Sequence, residues 1–108
     1  MNTKLTTQFI DRLEQVAQSE EAQDKVLSYQ LVNKVVSMKD YLNLLVKDAR
    51  YYLDYNEWLI ALENTVSNLY ETDIKLDKCI LDIAKEAFGE HLKEYNWQHV
   101  LDEMTKKD

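Results

Sequence analysis

The chain has 108 residues, and 13 Lys and Arg against 20 Asp and Glu give a formal charge of −7. That balance argues against a nucleic-acid binder, whose affinity comes from clustered cations on phosphates. With 45% hydrophobic residues, one glycine and no proline, the chain can bury a core but lacks the usual hairpin formers. The expected fold is all-α: a compact bundle of five to six helices forming a single helical domain over residues 1–108.

Leu5, Phe9, Leu13 and Val16 recur at spacings of four and three, which predicts a first helix with Thr3 or Thr6 as its N-cap and an end near Gln18 to Asp24. Val26, Leu27, Tyr29, Leu31, Val32, Val35 and Val36 follow. Their β-branched density suits a strand as well, but length and the lack of flanking turn residues favour a helix. Ser37-Met38-Lys39-Asp40 reads as a capping signal for a third helix, whose apolar residues Tyr41, Leu42, Leu44, Leu45 and Ala49 suggest burial on more than one side. Asp54 or Asn56 is placed to cap a fourth helix begun by Glu57. Its inward stripe is Trp58, Leu62, Val66 and Leu69, and Glu57, Asn64, Asn68 and Glu71 form its wet face.

Thr72 to Asp77 has no stripe and reads as a connector ending in an N-cap. Ile80, Ile83, Ala84 and Ala87 predict a fifth helix to Phe88, with Gly89 as its left-handed C-terminal cap. Leu92, Tyr95, Trp97, Val100, Leu101 and Met104 support one more helix, broken near Asn96, and Lys106, Lys107 and Asp108 are expected to fray. The longest unbroken apolar run, Trp58 to Leu62, is far short of the ~20 residues that cross a bilayer. No secretory leader is recognisable, and the single Cys79 has no partner for an internal disulfide, so a cytoplasmic protein is expected.

Catalytic chemistry has little to build on. A di-iron bundle needs two Glu-x-x-His motifs, whereas His91-x-x-Glu94 is reversed and occurs once. The spacings of Cys79, His91 and His99 match no zinc site, and one glycine cannot build a phosphate loop. Cys79, near a helix start but beside Ile80 and Ile83, reads as a small buried hydrophobe rather than a nucleophile. No enzyme activity, cofactor, metal or small-molecule substrate is expected, and a membrane partner is not expected either.

What stands out is the aromatic cluster Tyr51, Tyr52, Tyr55 and Trp58, flanked by Asp48, Asp54, Glu57 and Glu63. Tyr and Trp dominate interface hot spots, and the acids around them would attract a basic partner. The plainer reading is that these rings fill the core at a helix junction.

Glu57-Trp58-Leu59-Ile60-Ala61-Leu62-Glu63, followed by Asn68-Leu69-Tyr70-Glu71-Thr72-Asp73-Ile74-Lys75-Leu76, resembles the MafI-type immunity proteins of bacterial polymorphic toxin and contact-dependent growth inhibition systems. Those share a Glu-x-x-x-Ala-Leu-Glu helix, a Leu-Tyr-Glu close and an Ile-x-Leu connector leading to a Trp, which Trp97 matches. The resemblance spans about Glu57 to Leu101, and Asn56 stands where the family tends to place a glycine. It implies neutralisation of a cognate toxin domain, commonly a nuclease, in a one-to-one complex that occludes the basic cleft or an exosite. The expected contacts are Asp54, Glu57, Glu63, Glu71 and Asp73 as acids, with Tyr51, Tyr55, Trp58 and Tyr70 as anchors. The alternative is a small helical adaptor binding a partner helix, which would need an open apolar groove.

Overall fold

The computed structural model describes residues 2–29 and 34–107. The first stripe of apolar residues forms α1 (Thr3–Ala17), which buries Phe9, Ile10 and Leu13 completely. Its N-cap position belongs to Asn2 and not to Thr3 or Thr6: Thr3 already lies in the first turn and Thr6 is buried. Asn2 does not cap with its side chain either. Its Nδ2 donates to the carbonyl of Ala87 at 2.6 Å, tying the start of the chain to a helix far along it. A short α2 (Glu20–Asp24) comes next, with Ser19 Oγ accepting from the amide of Ala22.

The segment expected to continue as a helix is an antiparallel pair, β1 (Val26–Tyr29) and β2 (Lys34–Ser37), with Val26 opposite Ser37 and Tyr29 opposite Lys34. β-Branched side chains lose rotamer freedom in a helix and suit a pleated strand, and that preference prevails here without glycine or proline. Leu31 and Val32, part of the same expectation, lie outside the described residues. The amide of Met38 donates to the carbonyl of Lys25 at 2.9 Å, so the ribbon returns the chain beside α2 to begin α3. Apart from this ribbon the domain is an all-α bundle.

Ser37 caps α3 (Met38–Asp54) as its sequence signals, its Oγ accepting from the amide of Asp40 at 3.0 Å. Tyr41, Leu42, Leu45, Val46 and Ala49 face the core, whereas Leu44 points away and is 51% exposed. Helix α3 packs against α1 on one side and α4 (Trp58–Glu71) on the other. On α4, Leu62, Val66 and Leu69 are fully buried, each worth about 1.5–3 kcal/mol of apolar transfer, and Trp58 is half-buried at the rim.

Helices α3 and α4 end in the same motif. The amide of Glu57 donates to Tyr52 O and that of Asn56 to Leu53 O; at the second end Ile74 donates to Leu69 O and Asp73 to Tyr70 O. These are the two bonds of a Schellman cap, and the residue it places in the left-handed region is Asn56 (φ 59°) or Asp73 (φ 56°), types that tolerate it. Asn56 therefore closes α3 and does not cap α4. Asp54 does not cap it either, being the last residue of α3, and the N-cap position falls to Glu57 without a side-chain bond.

The connector buries Ile74 and Leu76, and Leu76 pairs with the C-terminal segment: its amide donates to Met104 O, and Lys106 donates back to Leu76 O, both at 2.9 Å. Lys106 is thus held and does not fray, its Nζ also lying 2.9 Å from Glu21 Oε2. Asp108 lies outside the described residues. Asp77 occupies the N-cap position of α5 (Lys78–Phe88) without a side-chain bond. Helix α5 buries Ile80, Leu81, Ala84, Ala87 and Phe88, and Gly89 ends it at φ 54°, ψ −126°, a positive-φ geometry other than the left-handed helical one. A 3₁₀ segment (Gly89–Asn96) then kinks at Glu94 and Tyr95 before α6 (Trp97–Glu103), as the break expected near Asn96. Trp97 stacks on Phe88 with centroids 5.0 Å apart. Among the described residues no helix is long and apolar enough to cross a membrane.

Candidate functional site

Because α3 runs on to Asp54, the tyrosine cluster lies on a helix and not in a loop. Tyr51 and Tyr55 are four residues apart and share its outer face, 57% and 67% exposed, with ring centroids 5.0 Å apart and planes inclined by 52°. Tyr52, about 100° around the helix, is partly buried and meets Tyr51 edge-on at 5.7 Å. Asp54 and Glu57 flank the pair at the α3–α4 corner, exposed and without an ionic partner among the described residues. Helix α3 carries no basic side chain in its last turn, so the negative pole of its dipole and Asp54 reinforce each other.

A shallow groove of about 460 Å³ opens beside Tyr51, between α1 and α3, lined by Glu14, Asn43, Val46, Lys47, Arg50 and Asp54. Arg50 is engaged within it, its Nη2 lying 3.1 Å from Asp11 Oδ1 and 3.3 Å from Glu14 Oε1. Arg50 is thereby held by α1, and among the described residues no ion pair joins Asp54 to it or to Lys47. Trp58 sits differently from the tyrosines. Half-buried, it meets the His91 ring edge-on at 5.9 Å and pins the start of α4 to the 3₁₀ segment.

Of the remaining expected contacts, Tyr70, Glu71 and Asp73 lie at the far end of α4, whose 14 residues span about 21 Å. Tyr70 Oη donates to Glu103 Oε2 at 2.6 Å, and Glu103 Oε1 lies 3.0 Å from His99 Nε2. The Tyr70 hydroxyl, with His99 and Lys75 assisting, holds the Glu103 carboxyl below the usual glutamate range, and Glu103 in turn pushes the Tyr70 phenol up. Lys75 bridges Asp73 at 3.0 Å and the carbonyl of Glu103 at 2.9 Å. Glu71 is exposed beside them, and Glu63 is partly buried midway along α4. The structure thus brings Tyr51, Asp54, Tyr55 and Glu57 together at one corner, and Tyr70, Glu71 and Asp73 together at another.

The residues weighed for catalysis have separate neighbours. His91 Nδ1 is 3.0 Å from Glu94, His99 belongs to the Glu103 cluster, and Cys79 lies 3.6 Å from Arg12 Nη2. Cys79 is exposed and not the buried hydrophobe expected, because the start of α5 turns Ile80 and Leu81 inward and leaves position 79 on the outer side. Among the described residues no group of three His, Cys, Asp or Glu is disposed to hold a metal ion.

Apolar character alone assigns Leu44 inward and misses its place one turn below Asp48 on the outer face of α3. The signal is present in the chain: 44, 48, 51 and 55 are spaced four, three and four apart. Comparison with protein families, with characterised proteins and with solved structures gives no match.

Proposed function

We propose that the chain is an immunity protein, acting in the bacterial cytoplasm, that binds a cognate toxin domain one-to-one and neutralises it without catalysis of its own. The observation that carries this reading is the α3–α4 corner, where Tyr51, Asp54, Tyr55 and Glu57 face solvent with no hydrogen bond or ion pair of their side chains among the described residues. Exposed tyrosine rings are costly to leave wet, and they supply large contact area at low rotamer cost. Unpaired carboxylates beside them match a cationic surface. A nuclease toxin has such a surface in its basic cleft, and a net charge of −7 steers the two molecules together. The likeness to MafI-type immunity proteins over Glu57 to Leu101 supports the same reading.

Co-expression with the C-terminal domain of a secreted toxin encoded beside this gene tests the proposal. Cells are expected to survive, and the association rate is expected to fall steeply between low and physiological salt. Continued killing in the presence of well-expressed, folded chain overturns the pairing.

A further inference from the structure

The apolar surface of the corner continues down α3. Leu44, Tyr51 and Tyr55 fall within about 40° of one another around the helix axis and span about 16 Å along it. Each is more than half exposed, while Leu42, Leu45, Val46 and Ala49 on the opposite side are sealed in the core. Asp48 borders the stripe on one flank, and Lys47 and Asp54 border it on the other, where the groove between α1 and α3 opens. Asp48 and Asp54 have no ionic partner among the described residues, so the stripe's charged border is net acidic.

We infer that this stripe seats a cationic amphipathic helix of the partner, laid along α3 with its apolar residues on Leu44, Tyr51 and Tyr55 and its Lys or Arg side chains reaching Asp48 and Asp54. Apolar residues seven and four apart form one side of a two-helix seam, and a second helix is the shape that fits such a straight stripe. Charge selects the occupant. A second copy of this chain would bring carboxylates to carboxylates and −7 to −7, whereas a cationic helix meets Asp54 and the uncompensated negative pole of α3, and a guanidinium can stack on the tyrosine rings. The inference rests on the reading that this corner binds a basic partner, and names the element of that partner.

The test is a selection with the intact chain as bait and a displayed library of amphipathic helices, about 18 residues long, whose polar positions vary freely between acidic, neutral and basic. Enriched helices are expected to carry an excess of Lys and Arg, and scrambled versions of equal composition to bind roughly tenfold more weakly. Leu44→Asp and Asp48→Lys are each expected to weaken binding about tenfold or more, and Glu86→Lys, the same charge change on the exposed face of α5, less than about twofold. Circular dichroism checks that each variant folds, and Tyr55→Ala serves as a second probe of the stripe. Enrichment of neutral or acidic helices, equal binding of scrambled ones, or full binding to Leu44→Asp and Tyr55→Ala overturns the inference. So does sedimentation of the chain as a dimer that Leu44→Asp dissociates. The selection needs no toxin. A chain that enriches basic helices on α3 yet fails to protect cells loses the immunity reading alone, and one that protects equally well with Leu44→Asp loses the helix seat alone.

Discussion

Helix α3 closes at Asn56 and α4 closes at Asp73 with matching pairs of backbone hydrogen bonds, and each helix ends on an acid, Asp54 or Glu71. Beyond the two turns the chain takes different courses. Glu57 projects into solvent, whereas Ile74 at the corresponding place is 1% exposed. The second end has Lys75, His99 and Tyr70 gathered round Asp73 and Glu103, while at the first Arg50 is held by Asp11 and Glu14 and no ion pair joins Asp54 to a cation among the described residues. One local backbone solution therefore serves two purposes. At the far end it directs the chain into the core, where Asp73 and Glu103 have partners and Glu71 alone has no ionic one among the described residues; at the near end it leaves two rings and two carboxylates facing outward.

The sharpest way to break this comparison is to exchange the residues after the two turns. Ile74→Ala should cost about 2–4 kcal/mol, lowering the melting temperature by roughly 10 °C or more, while Glu57→Ala should stay within about 0.5 kcal/mol of the parent in the same calorimetric experiment. Equal losses would mean that the near end is as structural as the far one. Next in size, Tyr51→Ala and Tyr55→Ala should each raise the dissociation constant for the proposed toxin partner about tenfold or more with melting nearly unchanged, and Tyr70→Ala should leave the constant within about twofold. A large effect of Tyr70 alone would move the interface to the other end of α4.

A smaller effect probes the turns themselves. Asn56→Val should destabilise by about 1–2 kcal/mol in urea titrations, because a β-branched residue resists positive φ, and Asn56→Gly should be neutral or mildly stabilising. The smallest is the response to pH. Glu103, Asp102 and Glu21 are all held below the usual carboxylate range by hydrogen bonds from Tyr70, Lys85 and Lys106 respectively, so the stability they lend is present at neutral pH and is lost as pH falls through their lowered values. Tyr70 and Lys106 are raised by Glu103 and Glu21, so their share is present at neutral pH and is lost as pH rises through the raised values. Stability should accordingly be flat between about pH 5 and pH 9. Carbon-detected titration of Tyr70→Phe should show the Glu103 midpoint returning upward, and an unmoved midpoint would assign its depression to His99 and Lys75.

Much of this bundle is readable from spacing alone. The stripes of α1, α4 and α5, the Ser37 cap and the break at Asn96 arise from apolar periodicity and from residue types with particular backbone habits. The ribbon at Val26 to Ser37 is not readable in that way, because its apolar residues are dense enough to satisfy both periods and no glycine or proline lies in the sequence between its two strands. Lys106 misleads for a different reason: its partners Leu76, Glu21 and Asp77 are distant in sequence, and no local pattern announces them. At the candidate surface, aromatic and acidic residues can be singled out, but their division into two ends requires knowing that α3 reaches Asp54 and that α4 separates them. Leu44 shows the limit most plainly, since an apolar residue and an inward direction are not the same thing.

Two hydrogen bonds join residues 85 positions apart, Asn2 to Ala87 near the start of the chain and Lys106 to Glu21 near its finish. Such closures can form only after the residues between them have been made, so they pay for long loops before they return any contact. A nascent chain therefore lacks the first tie until Ala87 has been made and the second until Lys106 has been made.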